Sequence, residues 1–515
     1  MSDLPGAPVE ADWQRLDRRS MLVGPLKTLR QFLVPMLAGL IGLGTQQPQW
    51  LLFAAPVVVG GAVAIGVLPW VTTRFRVADD HLVVTRGLIN RTRLTAPLER
   101  IRSVDLEAPL LHRLLSIEKV EIGTGVDDTM IELDSLSKVQ AEELRGFLLT
   151  RAASMPADDA ASPAPTGADP APGSAPLSSA DLARFERSWV RFAPFSLGRL
   201  VIALGALGGL SQFVGDVDVS IDQSDVQRIE SALLLIVVAL VVGGLVVWTL
   251  LSMAAYAVQW WGLRLFREHG NLRLTRGLFT TSSTTIEEAR VRGVRLRETA
   301  LLRLVGGAEL HTLVTGLDES VYAVLPPSPA AAATRVGADI LGDEAPLIAR
   351  LVRHGGRARR RCHLRGVRLL APAVVVALLA VLFVGSTPWL PIGVAVIALL
   401  LGGALGEAEY HHLGHAVTDH HLVAGSGVTS RVRTVLERAG IIGWVVSQSW
   451  FQRRRGLATL IATTAAGEER VTVRDVPLPQ AIAFADAAVP GMLEAFTVRP
   501  EHPGPAHSGP EPSGR

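Results

Sequence analysis

The sequence predicts a polytopic α-helical membrane protein of mixed class, with three pairs of transmembrane helices alternating with three small antiparallel β modules. Three observations point there. The 515 residues are 49% hydrophobic and 19% charged, with positive mean hydropathy, which is too apolar for an ordinary soluble enzyme. The apolar residues gather into six runs, each about long enough to cross a ~30 Å hydrocarbon core. One polar stretch is also written three times.

In the first copy, Thr85-Arg86-Gly87-Leu88 leads to Arg100-Ile101-Arg102-Ser103-Val104-Asp105-Leu106, and Leu111-His112-Arg113-Leu114-Leu115-Ser116 follows. In the second, Thr275-Arg276-Gly277-Leu278 leads to Arg290-Val291-Arg292-Gly293-Val294-Arg295-Leu296, then Leu301-Leu302-Arg303-Leu304-Val305-Gly306, at a constant offset of 190 residues. A more diverged third copy lies at offset 340, with Gly425-Ser426-Gly427-Val428 and then Gln448 through Leu460. A repeat this long marks a domain and not the 20–50-residue unit of a solenoid.

Taken in order, residues 1–25 form a polar N-terminal segment. Arg15, Arg18 and Arg19 precede the first apolar run and no small-residue cleavage pattern follows it, so no removable signal peptide is expected. The first helix pair occupies 26–73; Lys27, Arg30 and Pro35 weaken its first run, but the stronger second run marks the two as a pair. Residues 74–150 form the first module. There Phe75-Arg76-Val77 and Leu82-Val83-Val84 flank an Ala78-Asp79-Asp80-His81 turn. Short strands follow around Ile122 and Ile131, and an amphipathic helix over 135–150 closes the unit, with Leu136, Val139, Leu144, Phe147 and Leu148 largely on one side.

Residues 151–180 are rich in Ala and Pro with too little to bury, so this linker is expected to be disordered. The second pair covers 196–260, split by an acidic connection, and the second module covers 262–352. Within it, the repeated β stretch ends at Tyr322, 326–333 is rich in Pro and Ala, the hairpin after Thr312 is hard to find, and the closing helix is expected over 334–352. The third pair covers 367–408 around Ser386-Thr387-Pro388, and the third module 410–490 with its closing helix over 478–488. A Pro/Gly/Ser-rich tail at 498–515 is expected to be disordered. Val104 and Val294, with Trp444 in the aligned place, are expected to be recurrent core positions on strands.

Charge sets the orientation. Arginines flank every helix end that carries a module, whereas the connection over 215–230 is acidic. The positive-inside rule then places both termini and all three modules in the cytoplasm of a bacterial cell, under its plasma membrane. Lys27, Lys119 and Lys138 are the only lysines, as a GC-rich genome would produce. The single cysteine, Cys362, excludes intramolecular disulfides and a cysteine zinc site.

Short strands, a Gly turn, an Arg-x-x-Gly/Ser segment and a closing helix, placed directly after a helix pair, resemble the bacterial pleckstrin-homology-like (PH-like) membrane-flanked domain. Three copies on three helix pairs resemble the YdbT-type membrane proteins. The resemblance is strongest at Leu98-Glu99-Arg100-Ile101-Arg102-Ser103-Val104 and at Gln452-Arg453-Arg454-Arg455-Gly456-Leu457-Ala458-Thr459. It implies a strongly bent seven-stranded sheet capped by one C-terminal helix, no catalytic residues, a role in envelope stress or resistance, and a smaller one-module relative as partner.

Candidate sites follow from residue type. His411 and His415, with Glu407, fall at i, i+4, i+8 and offer metal ligands if one helix carries all three; interfacial polar residues after a membrane helix are the stronger reading, so no metal or cofactor is expected. Arg353, Arg357, Arg359, Arg360, Arg361, Arg365 and Arg368 form a run without an acid. That run marks topology and offers lipid headgroups roughly 1 kcal/mol per residue. Trp70, Trp260 and Tyr410 share one register and read as interfacial anchors. The first hairpin turns, Asp79-Asp80-His81, Glu268-His269-Gly270 and Asp419-His420-His421, are acidic and argue against phosphate binding at those turns. No P-loop, GxSxG, CxxC or paired-carboxylate pattern occurs. These features describe a non-enzymatic scaffold whose modules bind protein partners or membrane lipids and no nucleic acid. The alternative is a transporter or lipid-handling protein, for which the apolar runs supply few polar groups.

Overall fold

The computed structural model describes residues 13–28, 31, 51–78, 81–88, 91–98, 101, 103–123, 131–154, 180–196, 223–268, 270–315, 321–384, 387 and 389–492. Residues 155–179 of the expected linker, the expected tail, residues 197–215 and most of the run over 26–44 therefore lie outside the described residues, whereas residues 151–154, expected in the linker, continue the closing helix of the first module. The chain divides into two compact units, Met1–Gly342 and Asp343–Arg515.

In the first unit, β1 (Gln14–Arg15) precedes a helix over residues 20–28 and α1 (Leu51–Thr72). The two helices touch where neither has a side chain: a Cβ on Gly24 would stand 1.9 Å from the Gly66 carbonyl oxygen. From the end of α1 the chain enters β2 (Arg74–Val77), β3 (His81–Arg86) and β4 (Thr92–Pro97), an antiparallel sheet in the order β1-β2-β3-β4. Then come β5 (Ser103–Ala108), α2 (Leu110–Leu114), β6 (Ile117–Gly123), β7 (Ile131–Ser137) and the closing helix α3 (Lys138–Ser154). Apolar residues alternating along these strands meet α3 in one core that includes Phe75, Leu82, Val84, Val104, Ile122, Leu133 and Leu148. The module thus has seven strands and one capping helix.

The second module repeats the plan. β8 (Ala180–Arg184) and a 3₁₀ helix (Arg187–Phe195) precede α4 (Gln223–Trp260). After α4 come β9 (Arg264–Glu268), β10 (Asn271–Arg276), β11 (Thr281–Glu287), β12 (Val291–Thr299), α5 (Ala300–Leu304), β13 (Gly307–Val314), β14 (Val321–Pro329) and α6 (Ala330–Leu341). The first two modules are not separate beads. β5 of the first pairs antiparallel with β11 of the second, giving one seven-stranded sheet in the order β7-β6-β5-β11-β10-β9-β8.

The second unit holds a short helix α7 (Ala345–Ile348), then α8 (Gly355–Val384) and α9 (Leu390–His412). Its module comprises β15 (Gly414–Val417), β16 (His421–Ser426), β17 (Ser430–Glu437), β18 (Ile441–Ser447), α10 (Trp450–Arg453), β19 (Leu457–Thr464), β20 (Arg470–Pro477) and α11 (Leu478–Ala488). A core that includes Leu422, Leu436, Leu460, Val473 and Phe484 fills it.

The backbone confirms the repeat at specific residues. Counting the segment ahead of the helices as the first strand of each module, Gly87, Gly277 and Gly427 all take positive φ at the turn after the third strand, and so do Ser116, Gly306 and Gly456 before the sixth. The sixth strand carries a bulge at the same place each time, between Glu118 and Val120, Ala308 and Leu310, and Ala458 and Leu460.

Several sequence expectations need correction. The β stretch does not end at Tyr322, because β14 runs on through Pro326, Pro327 and Pro329. Proline is tolerated there since β14 lies outermost beside β13 and needs no outward N–H donor. The closing helix of that module is accordingly α6, earlier than residues 334–352. The helix expected over 135–150 starts at Lys138, because Ser135 and Leu136 end β7. The arginine-rich run over 353–368 is mostly the start of α8, so the first helix of the third pair begins twelve residues before 367. Each module also recruits a strand from ahead of the helix that leads into it: β1 on β2, β8 on β9, and a bridge from Val352 to His415.

Among the described residues, Val242–Trp260, Gly355–Phe383 and Leu390–His412 are long and apolar enough to cross a membrane, and Val59–Thr72 is a shorter apolar helix. Six spans in three pairs therefore remain a sequence expectation.

Val104 is fully buried in the first core. Replacing it with Asp sets an unpaired carboxylate among apolar side chains, and a loss of about 4 kcal/mol is expected. A thermal melt of the detergent-solubilised protein, or trypsin sensitivity of residues 74–154, reads the effect.

Candidate functional site

The chemistry of the chain concentrates where helices meet modules. Antiparallel register decides which end of each sheet lies there. Arg74 at the start of β2 pairs with Thr85 near the end of β3, and Arg86 pairs with Thr92 at the start of β4. The Gly87 turn therefore lies beside the end of α1, and Val77 and Leu82 pair at the far end. Contacts in the other copies agree: the Gly277 and Leu278 amides donate to the carbonyls of Trp261 and Val258, and His412 Nδ1 lies 3.1 Å from the Gly427 carbonyl.

In the first module this helix-side end opens into a cleft of about 340 Å³, ringed by Arg74, Arg86, Arg91 and Arg93, with Trp13 and Leu88 beside them and no acid in its lining. Arg86 also donates to the Glu132 carbonyl. The acidic first turn had argued against phosphate binding at the hairpin; the basic groups lie at the opposite end of the same strands. The matching positions elsewhere are engaged differently. Arg276 stacks over Trp260 at 4.2 Å, and Arg433 donates to the Pro346 and Leu347 carbonyls.

The third module is tied to its helices by a buried ion network. Asp475 on β20 is completely buried with positive φ. Its carboxylate pairs with Arg361 at 2.7 Å and with Arg365, both on α8, and accepts from Gln452 Nε2 at 2.9 Å. Arg365 also pairs with Glu409 on α9. Gln452 is held by a capping box with Ser449, whose hydroxyl accepts from Arg361 at 3.3 Å. The first module has a smaller counterpart, in which Asp134 lies 3.2 Å from His112 and 3.3 Å from Lys27. Burial opposes ionisation of Asp134, but the His112 hydrogen bond and the Lys27 charge outweigh it and draw its pKa down to about 2. At the place aligned with His112 the second module has Leu302, which lies with Phe192 beside Gly307. That junction is apolar.

Of the seven arginines expected at lipid headgroups, Arg361 and Arg365 are thus committed to Asp475, Arg359 pairs with Glu407 at 2.8 Å, and Arg357 donates to the Arg455 carbonyl at 3.4 Å. Arg353, Arg360 and Arg368 stay at the surface or partly so. The aromatic anchors dock on protein. Trp70 packs on the first core and donates to the Leu16 carbonyl at 3.1 Å, Trp260 is buried, and Tyr410 packs against Ala358, Cys362 and Leu413.

The histidines separate. His411 pairs with Glu407 at 3.2 Å on α9, whereas His415 lies on β15, because the helix ends at His412. Among the described residues no group of His, Cys, Asp or Glu could hold a metal ion. His415 Nδ1 instead meets His354 Nε2 at 2.9 Å, and His354 Nδ1 lies 2.9 Å from the Arg474 carbonyl. Since a carbonyl only accepts, His354 carries its proton on Nδ1 and accepts from His415 Nδ1–H.

Burial, joined at His354 by the neighbouring His415, holds both rings near pKa 4. A folded state that refuses protons the unfolded chain binds loses stability as pH falls from about 6.5 towards 4. The melting temperature of the third module should decline over that window, and the decline should be smaller in His354→Leu; equal slopes would contradict the pairing.

Comparison with known proteins agrees with the repeat. The family described as bacterial PH domain matches three times, at residues 32–152, 194–336 and 369–488. UPF0699 transmembrane protein YdbT of Bacillus subtilis (strain 168) is 20% identical over 446 residues, covering 81% of this chain and 87% of that protein. No solved structure matches. With the family matched across most of the chain, three sheet-and-helix modules in register and apolar helices ahead of them, this membrane protein belongs to the bacterial PH domain family.

Proposed function

We infer that the protein is a non-enzymatic membrane scaffold whose helices fix PH-like modules at the bilayer and whose modules bind protein partners. The observation that carries this reading is the seven-stranded sheet shared by the first two modules, which makes them one extended framework. Linked surfaces of this kind raise avidity by ~10²–10⁴ when geometry lets them engage together. A role in envelope stress or resistance belongs to the same proposal. Affinity purification in mild detergent, compared between the wild type and Val104→Asp, Val294→Asp or Leu460→Asp, tests it. Each variant should insert in the membrane yet lose most captured protein. Unchanged capture by all three would contradict the reading.

Binding of the membrane surface is the second reading, favoured by the arginine-ringed cleft beside the end of α1. The short helices after β5 and β12 add exposed Leu114 and Leu304. In nanodiscs, native mass spectrometry should show phosphatidylglycerol retained over phosphatidylcholine, with the preference lost in Arg91→Gln/Arg93→Gln. Equal retention by the variant argues against it.

In both readings the termini and modules are cytoplasmic. Cys362 is buried and a poor reporter, so the test uses Arg360→Cys at an exposed position in a Cys362→Ala background. A membrane-impermeant maleimide should label it in inverted vesicles and not in intact cells; labelling of intact cells would reverse the orientation.

A further inference from the structure

The joint between the first two modules has two halves, and among the described residues each half recurs with its outer edge uncovered. β5 supplies one half: β11 pairs along its edge, and its Val104 and Leu106 are buried in the first core, at 0% and 3% exposure. The third module's counterpart is β18, which is outermost in the order β18-β19-β20. There Ile442, Val445 and Val446 are 67%, 47% and 42% exposed, and no charged residue interrupts the strand. The other half is β11, whose Ser283, Thr284 and Thr285 are buried and whose edge pairs with β5. The first module's counterpart, β4, is outermost in β1-β2-β3-β4, with Thr92, Arg93 and Thr95 exposed.

An apolar outer strand with unpaired N–H and C=O groups is a template for another strand, and natural proteins cover or charge such edges. β18 is not charged. We propose that β18 is covered by β4 of a second copy of this chain, repeating between molecules the antiparallel joint that β5 and β11 make within one. The contact is heterologous, so it leaves one β4 and one β18 open and continues as a ring or a row in the membrane plane. The proposal rests on reading the modules as protein-binding surfaces and names the partner.

The existing joint fixes the register. Glu107 faces Ser282 and Leu106 faces Ser283. Carrying these pairs over by the offsets of 340 and 190 puts Ser447 opposite Thr92 and Val446 opposite Arg93. Facing strand residues fall within the Cα separation that a disulfide needs, about 4.4–6.8 Å.

The test uses two differently tagged full-length copies in native membranes, both Cys362→Ala, one with Ser447→Cys and the other with Thr92→Cys. Mild oxidation should give a cross-linked pair carrying both tags, at least tenfold above Ser447→Cys with the slipped position Thr95→Cys. Adding Val446→Lys, at an exposed site that leaves the module folded, should cut the yield at least tenfold. Three results would overturn the proposal: no link above the slipped pair, a link only within one chain when it carries both cysteines, or a different protein captured at Ser447→Cys. The last would leave the scaffold reading standing and remove only the second copy.

Discussion

Replacing Asp475 with Ala is expected to cost about 3–5 kcal/mol, because it leaves two guanidinium groups facing each other without their buried counter-ion. Asp475 has no solvent exposure, and Arg361 and Arg365 reach it from α8 while Gln452 donates from the module side. A buried pair of this kind adds little over a well-packed apolar substitute, yet breaking one side is costly. Asp475 also holds φ of 56°, a conformation that Asp and Asn tolerate and most residues resist. Asp475→Asn therefore separates charge from backbone, and should lose less than the Ala variant. Melts of the detergent-solubilised protein and protease sensitivity over 414–488 measure both. If Asp475→Ala melts within a degree of the wild type, the module does not depend on this tie to its helices.

The second large effect is expected from Gly406→Val. The helices α8 and α9 approach through glycines, as small residues allow in membranes. A Cβ on Gly406 would lie 2.5 Å from His363 Cα, one on Gly402 2.6 Å from Val367 Cα, and one on Gly366 2.1 Å from the Gly402 carbonyl oxygen. These are backbone atoms, so no rotamer change relieves the clash and the helices must separate. Overpacking typically costs 1–3 kcal/mol; a rigid backbone contact puts Gly406→Val at about 3 kcal/mol. Gly403→Val is the control, since a Cβ there meets nothing within 4 Å. Native-gel mobility and melting temperature should change in Gly406→Val and stay near wild type in Gly403→Val. The reverse order would mean the helices pack on another face.

Much of the architecture was legible because duplication left the same residues at fixed offsets. Gly87, Gly277 and Gly427 marked one turn three times, and the structure gives all three the positive φ that favours glycine. The strands ahead of the helices were not legible: β1 has two residues and the third copy a single bridge at Val352, too short for any periodicity. Most of β14 was missed because prolines argue against a strand, and only its outermost place in the sheet makes them acceptable. The period-two alternation of Val471 and Val473 does point Asp475 inward, but nothing local names its partner Arg365, 110 residues away. The arginine run read as topogenic charge for the same reason. The pairing of β5 with β11 was invisible too, since alternation says which face is buried and never which strand lies alongside.

A cysteine pair across the joint between the first two modules tests whether they share one sheet. Glu107→Cys with Ser282→Cys, in a Cys362→Ala background, places two thiols at facing positions of β5 and β11. Oxidation of the full-length protein in membranes should close an intramolecular disulfide in nearly every molecule, with little product when Ser282→Cys is exchanged for Ile286→Cys. No link at the facing pair, or equal yields at both, would show that the modules do not share a sheet.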